Sequence, residues 1–473
     1  MQAQPIVIEA TEHVQEKKSI PSSKTLGLLL QLIILIGAFY DAIEFIKPEL
    51  STAKLNVIDL LLSAVYLVWL FLVAWRRVRL PRFSRNKALY LFILMQLVPI
   101  PVGFGQGHVW QTVLRDARAP YYFILSLVVI SYATDEKALK KLLSTFLVVG
   151  SVCLVLDYLV FIFKIPVATG LSFTLLTTGR ATRHFGYHSS HVLLLVCIML
   201  LLNYLFISRA RKSVKLTAFA GLASFAVGLC LTLIRGLFIG MVFGCALSLL
   251  VQKDKKKVLA ASASGLILAT LVALLLLASP EATTSFVRIP MVERYMSILD
   301  PSASSEEAAN TAKARIDAIQ SANRAIREHQ LLGLGYGEHR RARDDKDVID
   351  PVLPYMGHSA PSYMLYRTGY VGTCVLLFCL TVFFTRGFRS LGNSMEGTIS
   401  QLAYLTVCAS FLAICAASFG SNMIYGADRF SPLVAIITGL LLSRVKRAEA
   451  DLPLSHSQRR LRSSWTATPP RLP

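Results

Sequence analysis

The hydrophobic positions of this chain cluster into blocks of about 20 residues, and short polar segments separate these blocks. That length crosses the hydrocarbon core of a bilayer as an α-helix. About twelve such blocks occur along the chain. They cover residues 25–46, 56–75, 88–105, 119–134, 142–164, 189–208, 214–233, 235–252, 258–278, 360–385, 400–419 and 430–445. The pattern predicts an all-α polytopic membrane protein with about twelve transmembrane helices.

Composition excludes a soluble globular protein. Of the 473 residues, 54% are hydrophobic and 16% are charged, and the mean hydropathy is +0.55. Soluble domains carry about 25% charged residues. Residues 1–24 are polar and of mixed charge, so we expect the first apolar block itself to act as the insertion signal.

Basic residues concentrate in alternate loops, and this bias predicts the orientation in the membrane. The basic loops are RRVRLPRFSRNK (76–87), DEKALKK (135–141), RARKSVK (209–215), KDKKK (253–257) and the loop with Arg386 and Arg389. Because basic loops stay in the cytoplasm, we expect both chain termini there. The formal net charge of +21 comes mostly from these loops and a basic tail, so it indicates contact with membrane lipids and not with nucleic acid.

This topology divides the chain into five parts. They are a cytoplasmic segment (1–24), transmembrane helices one to nine (25–278), an external loop (279–359), transmembrane helices ten to twelve (360–445) and a basic cytoplasmic tail (446–473). Because the external loop is the largest polar region, we expect recognition or chemistry there.

The centre of the external loop reads SSEEAANTAKARIDAIQSANRAIREHQ. Serines followed by Glu306 and Glu307 are typical of a helix start. Ile316, Ile319 and Ile326 then recur at helical spacing, which predicts an amphipathic helix along the membrane surface or over a cavity. The helix should end at LLGLGYG (331–337), where three glycines indicate a flexible turn. No strand precedes these glycines, so they do not form a nucleotide-binding fingerprint.

Arg235 is the charged residue within the apolar stretch LCLTLIRGLFIGMVFG (229–244). An arginine at the centre of a membrane helix costs about 2.5–3.5 kcal/mol on insertion scales, which makes it a functional candidate. The surrounding block, 214–252, is about twice one span long. We therefore predict two helices joined by a tight turn at IRG, with Arg235 at the external interface or lining a cavity. Snorkelling to lipid phosphates is the structural alternative.

Several basic side chains fall on the predicted external side, where the orientation rule disfavours them. They are Arg180, Arg183, Arg235, Arg315 and His358, with Arg324 and Arg327 nearby. Guanidinium groups make bidentate contacts with phosphate oxygens and keep their charge. The cluster therefore indicates an anionic, phosphorylated ligand at the outer membrane interface.

Four segments together resemble the O-antigen ligase and O-antigen polymerase family. They are R-x-x-G at Arg183 and Gly186, TLIRG at 232–236, ARIDAIQ…LLGLGYG at 314–337 and GHSAPSYMLYRTGYVG at 357–372. The resemblance implies a GT-C-like glycosyltransferase of the bacterial inner membrane that works without a metal or cofactor. It implies a glycan donor on undecaprenyl pyrophosphate at the periplasmic side, so the external loop would be periplasmic. Ligases of this family transfer the glycan to lipid A–core, and polymerases transfer it to a second lipid-linked glycan.

The resemblance also assigns roles to residues. Arg235, Arg315 and Arg183 match family arginines that hold the pyrophosphate, and His358 matches the histidine at the acceptor. Arg180 and Tyr363 complete the predicted substrate-binding set. Two departures from the family are Ser359, where an asparagine is common, and YHSSH (187–191), where Pro-Asn is often found.

These residue types suit glycan transfer. Fixed arginines can stabilise the charge that develops on the leaving pyrophosphate. Histidine can accept the proton of an attacking hydroxyl near neutral pH or position the acceptor. Attack from the face opposite the pyrophosphate would invert the anomeric configuration.

Three other interpretations remain open. A metal-dependent GT-C enzyme would use His184, His188 and His191 together with Asp41 and Glu44, but Gly186 interrupts the helix this needs, so we expect these histidines to face water or headgroups. A transporter of lipid-linked sugars is disfavoured because the single long loop breaks a six-plus-six symmetry. Within the family, ligases, O-antigen or exopolysaccharide polymerases and protein O-oligosaccharyltransferases share these motifs.

Overall fold

The computed structural model describes most of the predicted transmembrane region and short parts of the predicted external loop. The described residues are 21–39, 57–163, 190–208, 210–232, 235–252, 326–327, 329–337, 360–392, 394, 398–420, 424 and 427–443. In this part of the chain, all regular secondary structure is helical. The prediction of an all-α protein is therefore confirmed for the residues described.

The helices are numbered in chain order. They are α1 (Pro21–Ala38), α2 (Val57–Ala74), α3 (Phe83–Leu97), α4 (Pro99–Gly105), α5 (Trp110–Asp116), α6 (Arg118–Phe123), α7 (Leu125–Tyr132), α8 (Glu136–Phe163), α9 (Ser190–Ile207), α10 (Lys212–Leu231), α11 (Arg235–Leu250), α12 (Ala360–Gly392), α13 (Ile399–Gly420) and α14 (Ala427–Leu442).

Several described helices are long and apolar enough to cross a membrane by length and composition. Five runs meet both criteria: Phe83–Gly105, Glu136–Leu159, Lys212–Leu229, Ala360–Gly392 and Ile399–Phe419. Shorter apolar helices occupy Lys24–Ala38, Ile58–Ala74, His191–Ile207, Gly236–Leu250 and Ser431–Leu442. These runs fall on ten of the predicted spans, whereas the predicted ninth span, 258–278, lies outside the described residues.

The predicted fourth span, 119–134, forms two short helices, α6 and α7, instead of one. The chain tightens where they meet, because Leu127 N donates to Ile124 O at 2.9 Å. The carbonyl of Tyr121 accepts a hydrogen bond from Tyr66 Oη of α2 at 2.8 Å. Side-chain contacts with α2 thus stabilise a break that the apolar pattern does not reveal.

The centre of the bundle is formed by α9, α13 and α14. On α9, every residue from Val192 to Met199 is at most 2% exposed. The helix is apolar on all sides, which is the pattern of a helix surrounded by protein. It packs against α8, α10, α11 and α13.

Glycines let α11 approach α13 closely. Gly236, Gly240 and Gly244 recur every four residues on α11, the spacing at which small residues permit backbone contact between membrane helices. A Cβ on Gly240 would overlap Ala413 O, and one on Gly244 would lie 2.9 Å from Ala409 O. We call this close contact between α11 and α13 the glycine seam. It fixes the position of α11, the helix that begins at Arg235.

The predicted division of the long apolar block into two helices is confirmed. Helix α10 ends at Leu231 and α11 begins at Arg235, so the break lies just before Arg235, and residues 233–234 lie outside the described part of the chain. Arg235 is therefore the first residue of its helix. The position of its side chain lies outside what the structure describes.

We predict that Gly240→Leu destabilises the bundle by about 1–3 kcal/mol, because the added side chain must separate α11 from α13. The measurement is the thermal unfolding of purified protein in detergent. Gly392→Leu is the matched control, since nothing lies within 4 Å of a Cβ at Gly392. Equal melting temperatures for the two variants would contradict close packing at the seam.

Candidate functional site

Within the predicted external loop, residues 329–337 make a tight glycine-rich turn. Gly333, Gly335 and Gly337 have φ angles of 68°, 70° and 92°. Side chains other than glycine are strained in this left-handed region. A Cβ on Gly335 would also lie 2.8 Å from Gly103 Cα. The predicted turn is confirmed, and its glycines are also required by close contact between backbones.

The loop docks on a kink in α12. The kink is at Gly369, whose φ of 65° and ψ of −169° interrupt the helix. In a regular helix, the carbonyls of Tyr366 and Arg367 would accept from amides four residues later. Here they accept from the loop instead, with Leu334 N to Tyr366 O at 2.9 Å and Gly335 N to Arg367 O at 3.2 Å.

The amides released by the same kink also bind the loop. Tyr370 N donates to Gln330 O at 2.9 Å, and Val371 N donates to Leu331 O at 3.4 Å. The two helical hydrogen bonds lost at the kink are thus replaced by four bonds between helix and loop. Breaking the helix therefore leaves these four backbone groups satisfied, as burial requires.

The other side of the loop contacts α4 and α5. Tyr336 N donates to Pro99 O at 2.9 Å, and His108 Nδ1 lies 2.8 Å from Tyr336 O. Thr112 Oγ1 donates to Gly337 O at 3.3 Å. The loop is therefore held between α12 and the α4–α5 segment by main-chain contacts on both sides.

A buried ion pair closes the same junction. Arg367 Nη2 lies 2.7 Å from Asp116 Oδ2, and the two side chains are 1% and 7% exposed. The same carboxylate oxygen accepts from Gly337 N at 3.0 Å, and Arg367 Nη1 donates to Gly335 O at 3.0 Å. We call these four residues the latch. It joins α5, the loop and α12 through charge-assisted hydrogen bonds.

Three tyrosine rings surround the guanidinium of the latch. Its Cζ lies 5.3 Å from the ring centroid of Tyr363, 5.5 Å from Tyr366 and 6.0 Å from Tyr336. Aromatic rings at these distances stabilise a cation in a site without water. Burial, together with the charges of Tyr363 and Asp116, raises the pKa of Tyr336 well above its usual value, although Arg367 opposes this. The Tyr336 phenol therefore stays neutral at physiological pH.

A second ion pair lies next to the latch. Arg118 Nε is 3.2 Å from Asp59 Oδ2, and Tyr122 Oη donates to Asp59 Oδ1 at 2.7 Å. Asp116 and Arg118 are separated by one residue at the junction of α5 and α6. This short segment therefore connects α12 to α2 through two ion pairs. It supplies the acidic member, Asp116, to the first pair and the basic member, Arg118, to the second.

The structure describes only part of the predicted site. Arg180, Arg183, Arg315 and His358 lie outside the described residues. Tyr363 is 8% exposed and belongs to the tyrosine cage of the latch. Its role in substrate binding stays a prediction.

The histidine prediction fails at the position that is described. His191 is 2% exposed at the start of α9, so the prediction that it faces water or headgroups is wrong. The physical reason is that α9 is surrounded by other helices from its first turn. His184 and His188 lie outside the described residues.

The docked loop lies between the two predicted catalytic residues in sequence. Arg315 precedes the loop, and His358 lies two residues before α12. Both residues lie outside the described part of the chain, and their roles stay predictions.

The sequence interpretation did not assign a role to the latch. Arg367 lies within the motif YRTGY, and its charge in an apolar span was an available signal. Asp116 lies in a short polar segment between predicted spans, where acidic residues are ordinary. Only the fold brings the two together.

Comparison with known proteins gives one family match. Residues 218–379 match the family model described as O-antigen ligase. For this part of the chain, the resemblance to the O-antigen ligase family that the motifs predicted is confirmed. The match includes Arg235, Arg315 and His358, whereas Arg180 and Arg183 precede it. Among curated proteins, no sequence matches the chain.

We predict that the latch shows strong energetic coupling. Asp116→Asn alone should destabilise the protein by about 3–5 kcal/mol, because the guanidinium of Arg367 then remains buried without a counter-charge. Adding Arg367→Met should recover part of this loss. The measurement is a double-mutant cycle from thermal or denaturant unfolding, and additive single effects would contradict a direct pair.

We also predict that Gly369→Ala releases the loop. The φ of 65° and ψ of −169° at this position are adopted almost only by glycine and cost an L-residue about 1–3 kcal/mol, and a Cβ there would lie 2.6 Å from Gly333 N. Hydrogen–deuterium exchange should become faster at Leu334, Gly335 and Tyr370. Gly105→Ala is the control, since nothing lies within 4 Å of a Cβ at that position. Unchanged exchange in Gly369→Ala would contradict the docking geometry.

Proposed function

We propose that this protein is an O-antigen ligase-like glycosyltransferase. It moves a glycan from undecaprenyl pyrophosphate to a hydroxyl of lipid A–core on the periplasmic face of the bacterial inner membrane. The reaction is metal-independent and inverts the anomeric configuration. The general activity class is supported by the family match over residues 218–379.

One observation carries the proposal: the matched region contains Arg235, Arg315 and His358, the three residues to which the sequence motifs assign the chemistry. Arg235 begins α11, and the glycine seam holds that helix against α13. The docked loop lies between Arg315 and His358 in sequence and contacts α12, the helix that follows His358. The proposed site is therefore built from three separate parts of the chain.

The proposed step displaces the lipid pyrophosphate from the anomeric carbon. The acceptor oxygen forms a bond to this carbon from one face while the bond to the pyrophosphate oxygen breaks on the other. The leaving oxygen keeps the electron pair, and Arg235 and Arg315, with Arg180 and Arg183, stabilise its charge. His358 takes the hydroxyl proton or orients the acceptor oxygen.

The proposed topology has about twelve transmembrane helices in a GT-C-like arrangement, with both termini in the cytoplasm. Two features support it. Apolar helices among the described residues fall on ten of the predicted spans, and two short helices fall on an eleventh. Basic residues such as Arg85 and Arg389 lie at the opposite end of the bundle from the latch, since Arg367 is near the start of α12 and Arg389 near its end.

A polymerase is the alternative from the same family. A ligase is favoured because the predicted layout has one dominant loop after the ninth span. Deleting the gene separates the two activities. If long glycan chains accumulate on the lipid carrier and none reach lipid A–core, the protein is a ligase. If single repeats reach the surface and long chains vanish, it is a polymerase, and an unchanged glycan profile would refute both.

We predict that Arg235→Lys lowers transfer about 10²–10³-fold, because an ammonium cannot replace the bidentate guanidinium. His358→Ala should lower it about 10²–10⁴-fold. Transfer is measured with purified full-length protein, a lipid-linked glycan donor and a lipid A–core acceptor. Arg211→Lys, an exposed position at the start of α10, is the matched control. Variants that fold like wild type and retain full transfer would refute the assigned roles.

A further inference from the structure

Two adjoining cavities open at the end of the bundle opposite the latch, which we call the basic end. Their volumes are about 1580 Å³ and 790 Å³. Arg85 of α3, Arg386 of α12 and Leu442 of α14 line both cavities. The two spaces therefore meet at a pair of arginines.

The larger cavity is a groove along α3 and α12. On α3 its lining extends from Phe83 to Leu94, and on α12 it extends from Ser390 back to Phe378. At about 1.5 Å per residue, these stretches are about 16 Å and 18 Å long. The hydrocarbon core of one leaflet is about 15 Å thick, half of the whole core. The groove thus matches the depth of one leaflet.

Polarity changes along the groove. The part of the groove farther from the basic end is lined by apolar side chains that include Leu91, Leu94, Phe378 and Val382. Leu94 and Phe378 are 58% and 61% exposed, so large hydrophobic surfaces lie open there. Its mouth carries the arginines. This order of apolar wall and cationic rim follows the order of groups in a phospholipid, from acyl chain to phosphate.

The smaller cavity adds positive charge. Arg76, Arg79 and Arg82 line it together with the two shared arginines. Glu136 is the acidic residue that lines the larger cavity, and its carboxylate accepts a hydrogen bond from Ser400 Oγ. Within the part of the chain that the structure describes, no carboxylate lies within 4.0 Å of the guanidinium groups of Arg82, Arg85 or Arg389.

We propose that the two cavities form one binding site for an anionic phospholipid. Its phosphate lies between Arg85 and Arg386, its acyl chains follow the groove between α3 and α12, and the remaining arginines hold an anionic headgroup. Guanidinium groups bind phosphate oxygens through paired donors. A soluble phosphate would contact only the arginines at the rim and leave the apolar wall of the groove uncovered. A phospholipid would contact both, so the groove is complementary to a lipid and not to phosphate alone. The site is independent of the proposed glycan transfer.

The test uses the full-length protein purified in detergent and native mass spectrometry. Phosphatidylglycerol is the anionic probe and phosphatidylcholine the zwitterionic probe. We expect retention of phosphatidylglycerol and little of phosphatidylcholine. Each basic residue near an anionic lipid contributes about a fivefold gain in affinity, so Arg85→Gln/Arg386→Gln should weaken binding about 25-fold.

Two further variants make the result specific. Arg211→Gln/Lys212→Gln removes two exposed charges near the start of α10, outside both cavities, and should bind like wild type. Val382→Trp fills the groove without changing charge and should also lose the lipid. It keeps the proposal testable if the arginine double variant, checked by its lipid-free melting temperature, does not fold.

The proposal would be overturned by equal retention of both lipids, by wild-type binding of Arg85→Gln/Arg386→Gln, or by an equal loss in the α10 variant. Displacement of phosphatidylglycerol by inorganic phosphate would also overturn it, because this would indicate a phosphate site without a lipid. Cross-linking of residues 1–20 into the groove in lipid-free protein, with no displacement by lipid, would likewise show that the chain itself is the occupant.

Discussion

The arrangement at the predicted outer end of the bundle depends on one constraint: a buried backbone group must find a partner within the protein, because lipid provides none. Helix α12 breaks this continuity at Gly369, and a break in this setting is stable only if another segment supplies donors and acceptors. The glycine-rich loop supplies both. Helix and loop therefore require each other, and the fold of the loop is determined by the helix it repairs.

The latch adds an electrostatic requirement to the same junction. A guanidinium that is 1% exposed is costly unless a counter-charge and further hydrogen bonds accompany it. Asp116 provides the counter-charge, and the loop carbonyl of Gly335 accepts one of the remaining N–H groups. The ion pair thus forms only when α5, the loop and α12 are all in place. Its main contribution is to specify one arrangement of these three segments.

Much of the architecture could be predicted from the hydrophobic pattern. The division of residues 214–252 into two helices was predictable because an apolar run of twice the bilayer thickness cannot be one regular span. The family relationship was predictable because the order and spacing of the motifs survive in the sequence. The burial of His191 was not predictable from the sequence, because the position of α9 at the centre of the bundle depends on the helices that surround it.

The candidate site was less accessible to sequence reasoning. A glycine such as Gly369 within an apolar block is equally compatible with close helix packing and with a kink. The pairing of Asp116 with Arg367 joins segments that are far apart in sequence, and no local pattern specifies it. Arginines with a phosphate-binding role could be proposed from type and topology, whereas arginines with a structural role required coordinates.

The position of Asp116 has a consequence for the modular use of this protein. The matched region, residues 218–379, includes the loop and Arg367 but not α4, α5 or Asp116. The matched segment therefore contains the buried Arg367, whereas the counter-charge of this arginine, Asp116, comes from the N-terminal half of the chain. A chimera that exchanges only this segment with a relative would keep the arginine and its tyrosine cage but separate it from the counter-charge of Asp116. A unit of exchange that keeps the ion pair and the loop contacts has to extend back to the helices that carry Pro99 and Asp116.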